Sequence, residues 1–438
     1  MWRITFLLLL CIQSFSIVLS SIILPFKTYY TSPLSSSNIL QSIPSNFIGT
    51  EMCLGTPKQC LILNIELQSP QIAIMGSSFS KFYETQSNTY NKGDLIEVSR
   101  TEIDDFGDLI EIFNYTAYES SDTFYIKGTQ EAITDFSFLN VDNNNHKGQF
   151  EINSGKIGFD RRLDKETENA LFLKQMKKRN IIDSYLFYLE YNEDGTSGNI
   201  VLGAAPHELN KQYKEEDKKE TNSVSFGKYT LWGLQFDALF FDNQVLDIYL
   251  KKAIFSFENG FILAAKPFQD IILQKFFTNY ITQGLCVEEH VSSLYETYSC
   301  IDDPKQVDFA SFPNLDFYNA ELNITYTLTY KDLFYPFEGK QYCLLYFHIM
   351  NNFDSYWILG KPFLKKYQIY FNWDAKTVGS YKLDKVTSSS GTNSWIIVLA
   401  CCLFCIVGLF FWYNSCKIKK IRKKRATELV EDYEYLPK

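Results

Sequence analysis

The sequence predicts a mainly β protein of two similar lobes, followed by one C-terminal transmembrane helix. Short apolar runs broken by Asn, Asp, Gly and Ser fill most of the 438 residues, which is typical of β-structure. Two apolar strands of one kind, one in each half of the chain, each end at a carboxylate: Glu66 within Gly55–Ser69 and Glu258 within Ala253–Gly260. An uninterrupted apolar run of 19 residues, Trp395–Tyr413, is long enough to cross a bilayer.

The N-terminal region begins with a stretch typical of a secretory signal. Residues 1–20 contain Arg3, then the apolar run Phe6–Ile12, and end in small residues suited to cleavage. A retained N-terminal anchor is the alternative interpretation. The following segment, residues 21–46, is rich in Ser and Pro and contains one predicted strand, Ile22–Tyr29.

The body divides into an N-terminal lobe, residues 47–206, and a C-terminal lobe, residues 223–384. A mixed-charge run at residues 207–222 joins them, and such runs are typical of solvated linkers. Within the lobes the residue pattern predicts helices at Ala170–Arg179 and Lys266–Gln283. It also predicts a hairpin of Tyr185–Tyr191 with Asn199–Gly203.

The C-terminal region predicts a single-pass anchor. A flexible stalk, residues 385–394, precedes the helix 395–413 and the tail 414–438. Seven Lys or Arg between Lys417 and Arg425 follow the helix directly, so the positive-inside rule makes the tail cytosolic and the body lumenal or extracellular. We expect a location at the cell surface or on secretory or endosomal membranes.

Several short patterns fit a lumenal body. Asn114 and Asn323 begin glycosylation sequons, and Tyr433 with Leu436 fits a tyrosine-based sorting pattern in the tail. Cys53 and Cys60 flank the Gly55–Lys58 turn as cross-strand neighbours, which predicts a disulfide.

Composition excludes some partners. The formal net charge is -9 although the tail is basic, so the body is acidic, and we expect no nucleic-acid partner. Motifs for metalloproteases, phosphate loops and Cys/His metal sites do not occur, so we expect no cofactor and no metal. The four histidines are scattered and are interpreted as structural or surface residues: His146, His207, His290 and His348.

A series of motifs resembles the pepsin-like aspartic proteases, peptidase family A1, over roughly residues 45–384. The series comprises Gly55-Thr56-Pro57, Ser87-Asn88-Thr89-Tyr90, Ser154-Gly155-Lys156-Ile157-Gly158-Phe159, Phe312–Phe317, Trp357-Ile358-Leu359-Gly360, Tyr370–Asp374 and Val378-Gly379. The resemblance implies a bilobal fold with one acidic loop from each lobe at the central cleft. It also implies a disulfide Cys300–Cys343, which leaves Cys286 without a partner.

Aspartic proteolysis requires two carboxylates that share one proton, one acting as base toward water and the other as acid toward the carbonyl. The family sequence at each place is Asp-Thr-Gly or Asp-Ser-Gly. Here the two corresponding stretches are Glu66-Leu67-Gln68-Ser69 and Glu258-Asn259-Gly260-Phe261. A rival register aligns Met75–Ser78 with the first loop and places Ile74 at the aspartate, so neither register supplies an Asp.

The departures at both loops predict a protein without protease activity. A displacement of a catalytic group by about 1 Å can cost on the order of a hundredfold in rate, and the nearest candidate for the flap Tyr-Gly is Phe106-Gly107. We expect the cleft to hold a peptide or protein segment without cutting it. The alternatives are an active endopeptidase with a glutamate dyad at acid pH, and an inhibitor-like relative that binds a protein enzyme.

Overall fold

A computed structural model gives the structure of the protein. It describes residues 21–30, 33–35, 37–103, 109–126, 132–144, 154–160, 167–226, 229–241, 244–246, 252–264, 267–292, 295–349 and 356–381. Several predictions lie outside these residues: the signal peptide, the candidate flap residues Phe106-Gly107, His146, the stalk, the transmembrane run 395–413, and Tyr433 and Leu436. Within the described parts of the chain, no helix is long and apolar enough to span a membrane.

The described residues of the N-terminal half form ten strands and two short α-helices. The strands are β1 Ile22–Tyr29, β2 Phe47–Leu54, β3 Gln59–Glu66, β4 Ile72–Met75, β5 Asn91–Ile103, β6 Leu109–Ile126, β7 Ala132–Asn144, β8 Gly155–Gly158, β9 Leu186–Tyr191 and β10 Ser197–Leu202, and the helices are α1 Ile39–Ser42 and α2 Phe172–Lys178. Single 3-10 turns lie at Ser77–Phe79, Glu84–Gln86 and Glu168–Ala170. The predicted strand Ile22–Tyr29, the helix within Ala170–Arg179 and the hairpin are confirmed.

The segment predicted as a solvated linker is partly ordered into the sheet. It contains α3, Pro206–Leu209, a 3-10 turn at Glu215–Asp217 and the strand β11, Lys218–Asn222. The prediction of a loop is wrong for β11, because its residues alternate along a strand and bury Thr221 while the Lys and Glu side chains remain at least partly exposed.

In the C-terminal half, the parts that the structure describes contain seventeen strands and four α-helices. The strands are β12 Ser225–Phe226, β13 Tyr229–Thr230, β14 Gly233–Gln235, β15 Ala238–Phe241, β16 Gln244–Leu246, β17 Lys252–Phe255, β18 Ile262–Ala264, β19 Cys286–His290, β20 Tyr295–Ile301, β21 Leu315–Asn319, β22 Ile324–Leu328, β23 Phe334–Phe337, β24 Lys340–Cys343, β25 Leu345–His348, β26 Trp357–Leu359, β27 Ile369–Asn372 and β28 Thr377–Tyr381. The helices are α4 Pro267–Ile272, α5 Thr278–Thr282, α6 Tyr330–Leu333 and α7 Lys361–Lys366, with a π-helical turn at Leu273–Phe277 and a 3-10 turn at Phe309–Ser311. The helix predicted over Lys266–Gln283 is confirmed with this π-helical interruption.

The strands of the described residues form two large sheets and two smaller ones. A 13-stranded sheet has the order β11-β28-β27-β9-β10-β1-β2-β3-β8-β4-β7-β6-β5, so strands from both ends of the described chain meet in it. A 9-stranded sheet has the order β14-β17-β26-β18-β25-β20-β24-β23, with β19 beside β20. The order β16-β15-β21-β22 makes a four-stranded sheet, and β12 pairs with β13.

The two halves share an aromatic core. The indole of Trp232 donates a hydrogen bond to the Phe159 carbonyl at 2.8 Å. Its ring lies edge-on to Phe187 and Phe371, which stack on each other with centroids 5.0 Å apart. All four side chains are buried. This packing fixes the second half of the chain against the strand β8 of the first.

The disulfides confirm one prediction and overturn the other. Cys53 and Cys60 face each other across β2 and β3 and are bonded, as predicted. The second bond joins Cys286 to Cys300, which are direct partners across β19 and β20. The pairing Cys300–Cys343 is wrong, because β24 places Gln341 opposite Cys300, and Cys343 is therefore a diagonal neighbour left as a buried free thiol.

Candidate functional site

The two acidic loops occupy equivalent places in two similar arrangements of strands. β3 runs parallel to β8, and β8 pairs on its other side with antiparallel β4. In the second half β17 runs parallel to β26, and β26 pairs with antiparallel β18. The loop after Glu66 thus lies between β3 and β4. The rival register is excluded, because Met75 and Gly76 lie at the far end of β4.

The strand registers locate the counterpart of Glu66 in the second half. Glu66 pairs with Gly158, and Phe255 pairs with Leu359, so the next position places Ser256 beside Gly360. Both glycines leave room for a loop carbonyl: a Cβ on Gly158 would meet the oxygen of Ser69 at 1.9 Å.

A Cβ on Gly360 would meet two loop oxygens, that of Phe261 at 2.1 Å and that of Asn259 at 2.4 Å, and the amide of Lys361 donates to the Asn259 oxygen at 2.9 Å. Ser69 follows Glu66 by three residues, as Asn259 follows Ser256. The assignment of Glu258 to the second aspartate position is therefore corrected to Ser256, two residues earlier. Glu258 lies within the loop itself.

Glu66 is buried and held by a cation. The residue is 5% exposed, and its Oε2 lies 3.5 Å from Nζ of Lys156, which is 2% exposed. The side-chain amide of Asn64 donates to Oε1 at 3.1 Å. Asn64 and Lys156 are partners across β3 and β8, so the same strand pairing that positions Glu66 also positions both of its neighbours.

Glu258 contacts the first loop. Its Oε1 accepts a hydrogen bond from the backbone N–H of Leu67 at 2.9 Å, and its Oε2 accepts one from the Ser256 hydroxyl at 2.7 Å. The structure therefore brings the two glutamate-bearing loops together, as the sequence predicts. A carboxylate on one loop bonded to the backbone of the other ties the two halves of the chain at their centre.

The remaining loop residues are mostly buried in their own halves. Leu67 is part of the main apolar core, while Phe261 stacks on Tyr346 with centroids 4.4 Å apart. Gln68 is only partly exposed, and the Ser69 hydroxyl is buried without a hydrogen bond to any described residue. Ser69, the one residue shared with the family pattern in the first loop, thus makes no bond that ties the loops.

A buried lysine supports the second loop from behind. Nζ of Lys361 donates to the backbone oxygen of Asn46 at 2.6 Å and also to its side-chain oxygen. Burial lowers the pKa of Lys361 well below its usual value, and nearby Lys365 lowers it further, while Glu258 opposes the shift. Gly260 packs against the same segment, since a Cβ there would meet the Ile43 oxygen at 2.1 Å.

Sequence reasoning missed Asn64, Lys156, Ser256 and Lys361. Lys156 had a readable signal, because it is the one charged residue in Gly155-Lys156-Ile157-Gly158, where the family has an apolar residue. A charged residue inside an apolar strand requires a partner of opposite charge. For Lys156 that partner is Glu66, which lies two residues along β3 from Asn64, the residue opposite Lys156. Ser256 had no such signal, since its role depends on strand register.

The two predicted glycosylation sites lie in different elements, Asn323 in a turn and Asn114 in a strand. Asn323 is exposed in the turn between β21 and β22, with a left-handed φ of 52°. The backbone of Asn114 lies in β6 opposite Ser99.

The comparisons with known proteins agree with this architecture. A search of curated proteins gives no significant match. The family model described as eukaryotic aspartyl protease matches residues 49–383, which is most of the chain and includes both loops. The chain therefore belongs to the family of eukaryotic aspartyl proteases.

Proposed function

We propose that this member of the family does not cut peptides and instead binds a peptide or protein segment in the cleft between its lobes. The observation that carries the first half of this proposal is the buried pair of Glu66 and Lys156, with the two charged atoms 3.5 Å apart.

A general base must reach the water that it activates, within about 2.6–3.2 Å. Glu66 is 5% exposed, and its two oxygens face Asn64 and Lys156. An adjacent cation favours the charged carboxylate and disfavours the shared proton on which a dyad depends. Glu66 is therefore poorly placed both to reach a water and to share a proton with a second carboxyl group.

The second position cannot compensate. Ser256 is fully buried, and its hydroxyl donates to Glu258. A serine hydroxyl in that place supplies no ionisable group in the range where a carboxyl acid would act. Glu258 itself accepts hydrogen bonds from the Leu67 N–H of the first loop and from the Ser256 hydroxyl. It therefore links the two loops.

Binding without cleavage is the use that the fold supports. Family membership implies a cleft between two lobes, and extended peptides bind such clefts by strand-like hydrogen bonds. We further propose that the protein is anchored by residues 395–413 with its body lumenal or extracellular, at the cell surface or on secretory or endosomal membranes. The apolar run, the basic cluster after it and the exposed sequon Asn323 support this orientation.

The test uses the purified full-length protein and a library of random-sequence peptides, incubated from about pH 3 to pH 7. Peptides captured by the protein and recovered intact by mass spectrometry would support the proposal. The alternative is an active glutamate dyad, which is favoured by the approach of Glu258 to the first loop. Peptides cut by the wild type but not by Glu66→Gln or Glu258→Gln would establish that alternative. Capture of no peptide at any pH would refute the binding half.

A further inference from the structure

The hairpin of β19 and β20 brings three metal-binding side chains to one of its faces. His290 pairs directly with Glu296, and Glu288 precedes His290 by two residues on the same strand. Because side chains alternate along a strand and directly opposed residues share a face, all three lie on one side. Their ligand atoms lie within 4.8 Å of one another, and His290 Nε2 is 3.7 Å from Glu288 Oε1.

Both ends of this hairpin are fixed. At one end the disulfide Cys286–Cys300 locks the strand register two residues from Glu288. At the other end the amide of Val291 donates to the Tyr295 carbonyl at 2.9 Å and closes the turn beside His290. The three side chains therefore project from a backbone that cannot slide, which lowers the entropic cost of binding an ion.

A second, independent observation is the support of Glu296 from the protein interior. Glu296 is 6% exposed, and the side-chain amide of Gln269, 7% exposed, donates to its Oε1. The other atom of that amide, Gln269 Oε1, is buried and has no hydrogen-bond partner among the described residues. Carboxylates that bind metals are oriented by hydrogen bonds from residues behind them, as Gln269 orients Glu296.

The neighbouring charges leave this face negative. Glu289 lies between Glu288 and His290 but points to the other face, where it accepts a hydrogen bond from Ser299 and lies 3.5 Å from Lys340. The lysine thus neutralises Glu289 and not the three clustered side chains. Two carboxylates and one imidazole held together attract a divalent cation.

We propose that Glu288, His290 and Glu296 form an open site for a divalent transition metal, with zinc as the natural occupant. Zinc accepts histidine nitrogen and carboxylate oxygen at about 2.0–2.2 Å, and three protein ligands leave its fourth position for water. The imidazole excludes calcium and magnesium, which take oxygen ligands. Atoms now up to 4.8 Å apart close on the ion by rotation of the exposed His290 and Glu288 side chains, which are 68% and 45% exposed.

The test measures zinc binding to the full-length protein by isothermal titration calorimetry, with His290→Asn and Glu288→Gln as variants. Both side chains are exposed, so neither substitution endangers folding. Glu289→Gln is the matched control, because it changes a carboxylate on the same strand that faces the other way. We expect the wild type and Glu289→Gln to bind one zinc more tightly, by at least about tenfold, than either ligand variant.

Cobalt(II) provides a second measurement. We expect a visible absorption band typical of a low-coordinate site in the wild type and its loss in His290→Asn. Equal zinc affinity in the wild type and His290→Asn would overturn the proposal. Displacement of zinc by an equal concentration of calcium would overturn it as well.

Discussion

Replacing Lys156 with methionine should destabilise the protein strongly, because it leaves the carboxylate of Glu66 buried without its cation. At 3.5 Å and an effective dielectric constant of about 20, the attraction between the two charges is about 5 kcal/mol. Removing one partner of a buried ion pair typically costs about 3–5 kcal/mol. The hydrogen bond from Asn64 to Glu66 remains in the variant. We therefore expect the free energy of unfolding to fall by an amount in the lower half of that range.

The double variant Lys156→Met/Glu66→Gln should recover most of the loss, since it removes both charges. The control is Lys174→Met, which breaks the exposed pair Lys174–Glu168, whose side chains are 40% and 47% exposed. That change should cost about 0–1 kcal/mol. Urea unfolding of the wild type, Lys156→Met, the double variant and Lys174→Met measures these losses. A change in the midpoint urea concentration at an unchanged m-value reports a change in the free energy of unfolding. Equal losses in Lys156→Met and Lys174→Met, or no recovery in the double variant, would refute the assignment of a buried ion pair.

Three further predictions concern the loops and the cysteines. Glu258→Ala should cost about 1–3 kcal/mol, because it leaves the Leu67 N–H without its acceptor, while Glu258→Gln keeps an acceptor oxygen and should cost less than half as much in urea unfolding. Burial lowers the pKa of Lys361, so the unfolded chain binds more protons at this residue than the folded protein does. The free energy of unfolding of the wild type, relative to that of Lys361→Met, should therefore rise from about pH 7 to pH 9. A fall in this difference over the same range would contradict the prediction. Peptide mapping should find Cys286 linked to Cys300, and Cys343 should react with a thiol reagent only after unfolding, since burial raises its pKa to about 12; a Cys300–Cys343 peptide would contradict the structure.

Local patterns in the sequence identified the elements that depend on neighbouring residues. Ile22, Leu24 and Phe26 alternate with exposed residues in β1, and this period of two predicts a half-buried strand. Counting from the Gly55-Thr56-Pro57 turn placed the start of the first loop at Glu66, which is where β3 ends. The direct partners Cys53 and Cys60 were predictable because a short turn joins them.

Register between distant strands was not predictable in the same way. Glu258 was assigned to the second loop position because it is a carboxylate, whereas the pairing of β17 with β26 places Ser256 there. Cys300 has two candidate partners in the body, Cys286 and Cys343, and only the pairing of β19 with β20 selects Cys286. In both cases a shift of two residues along a strand leaves the local sequence pattern unchanged.

We propose that a buried ion pair, Glu66 with Lys156, and the contact of Glu258 with the first loop stand where peptide cleavage requires two carboxylates that share a proton. Cleavage of a fluorogenic peptide library by the purified protein, followed from about pH 3 to pH 7, tests it most directly. We predict no hydrolysis above that of the Glu66→Gln variant at any pH. Acid-dependent hydrolysis by the wild type that disappears in both Glu66→Gln and Glu258→Gln would contradict the claim.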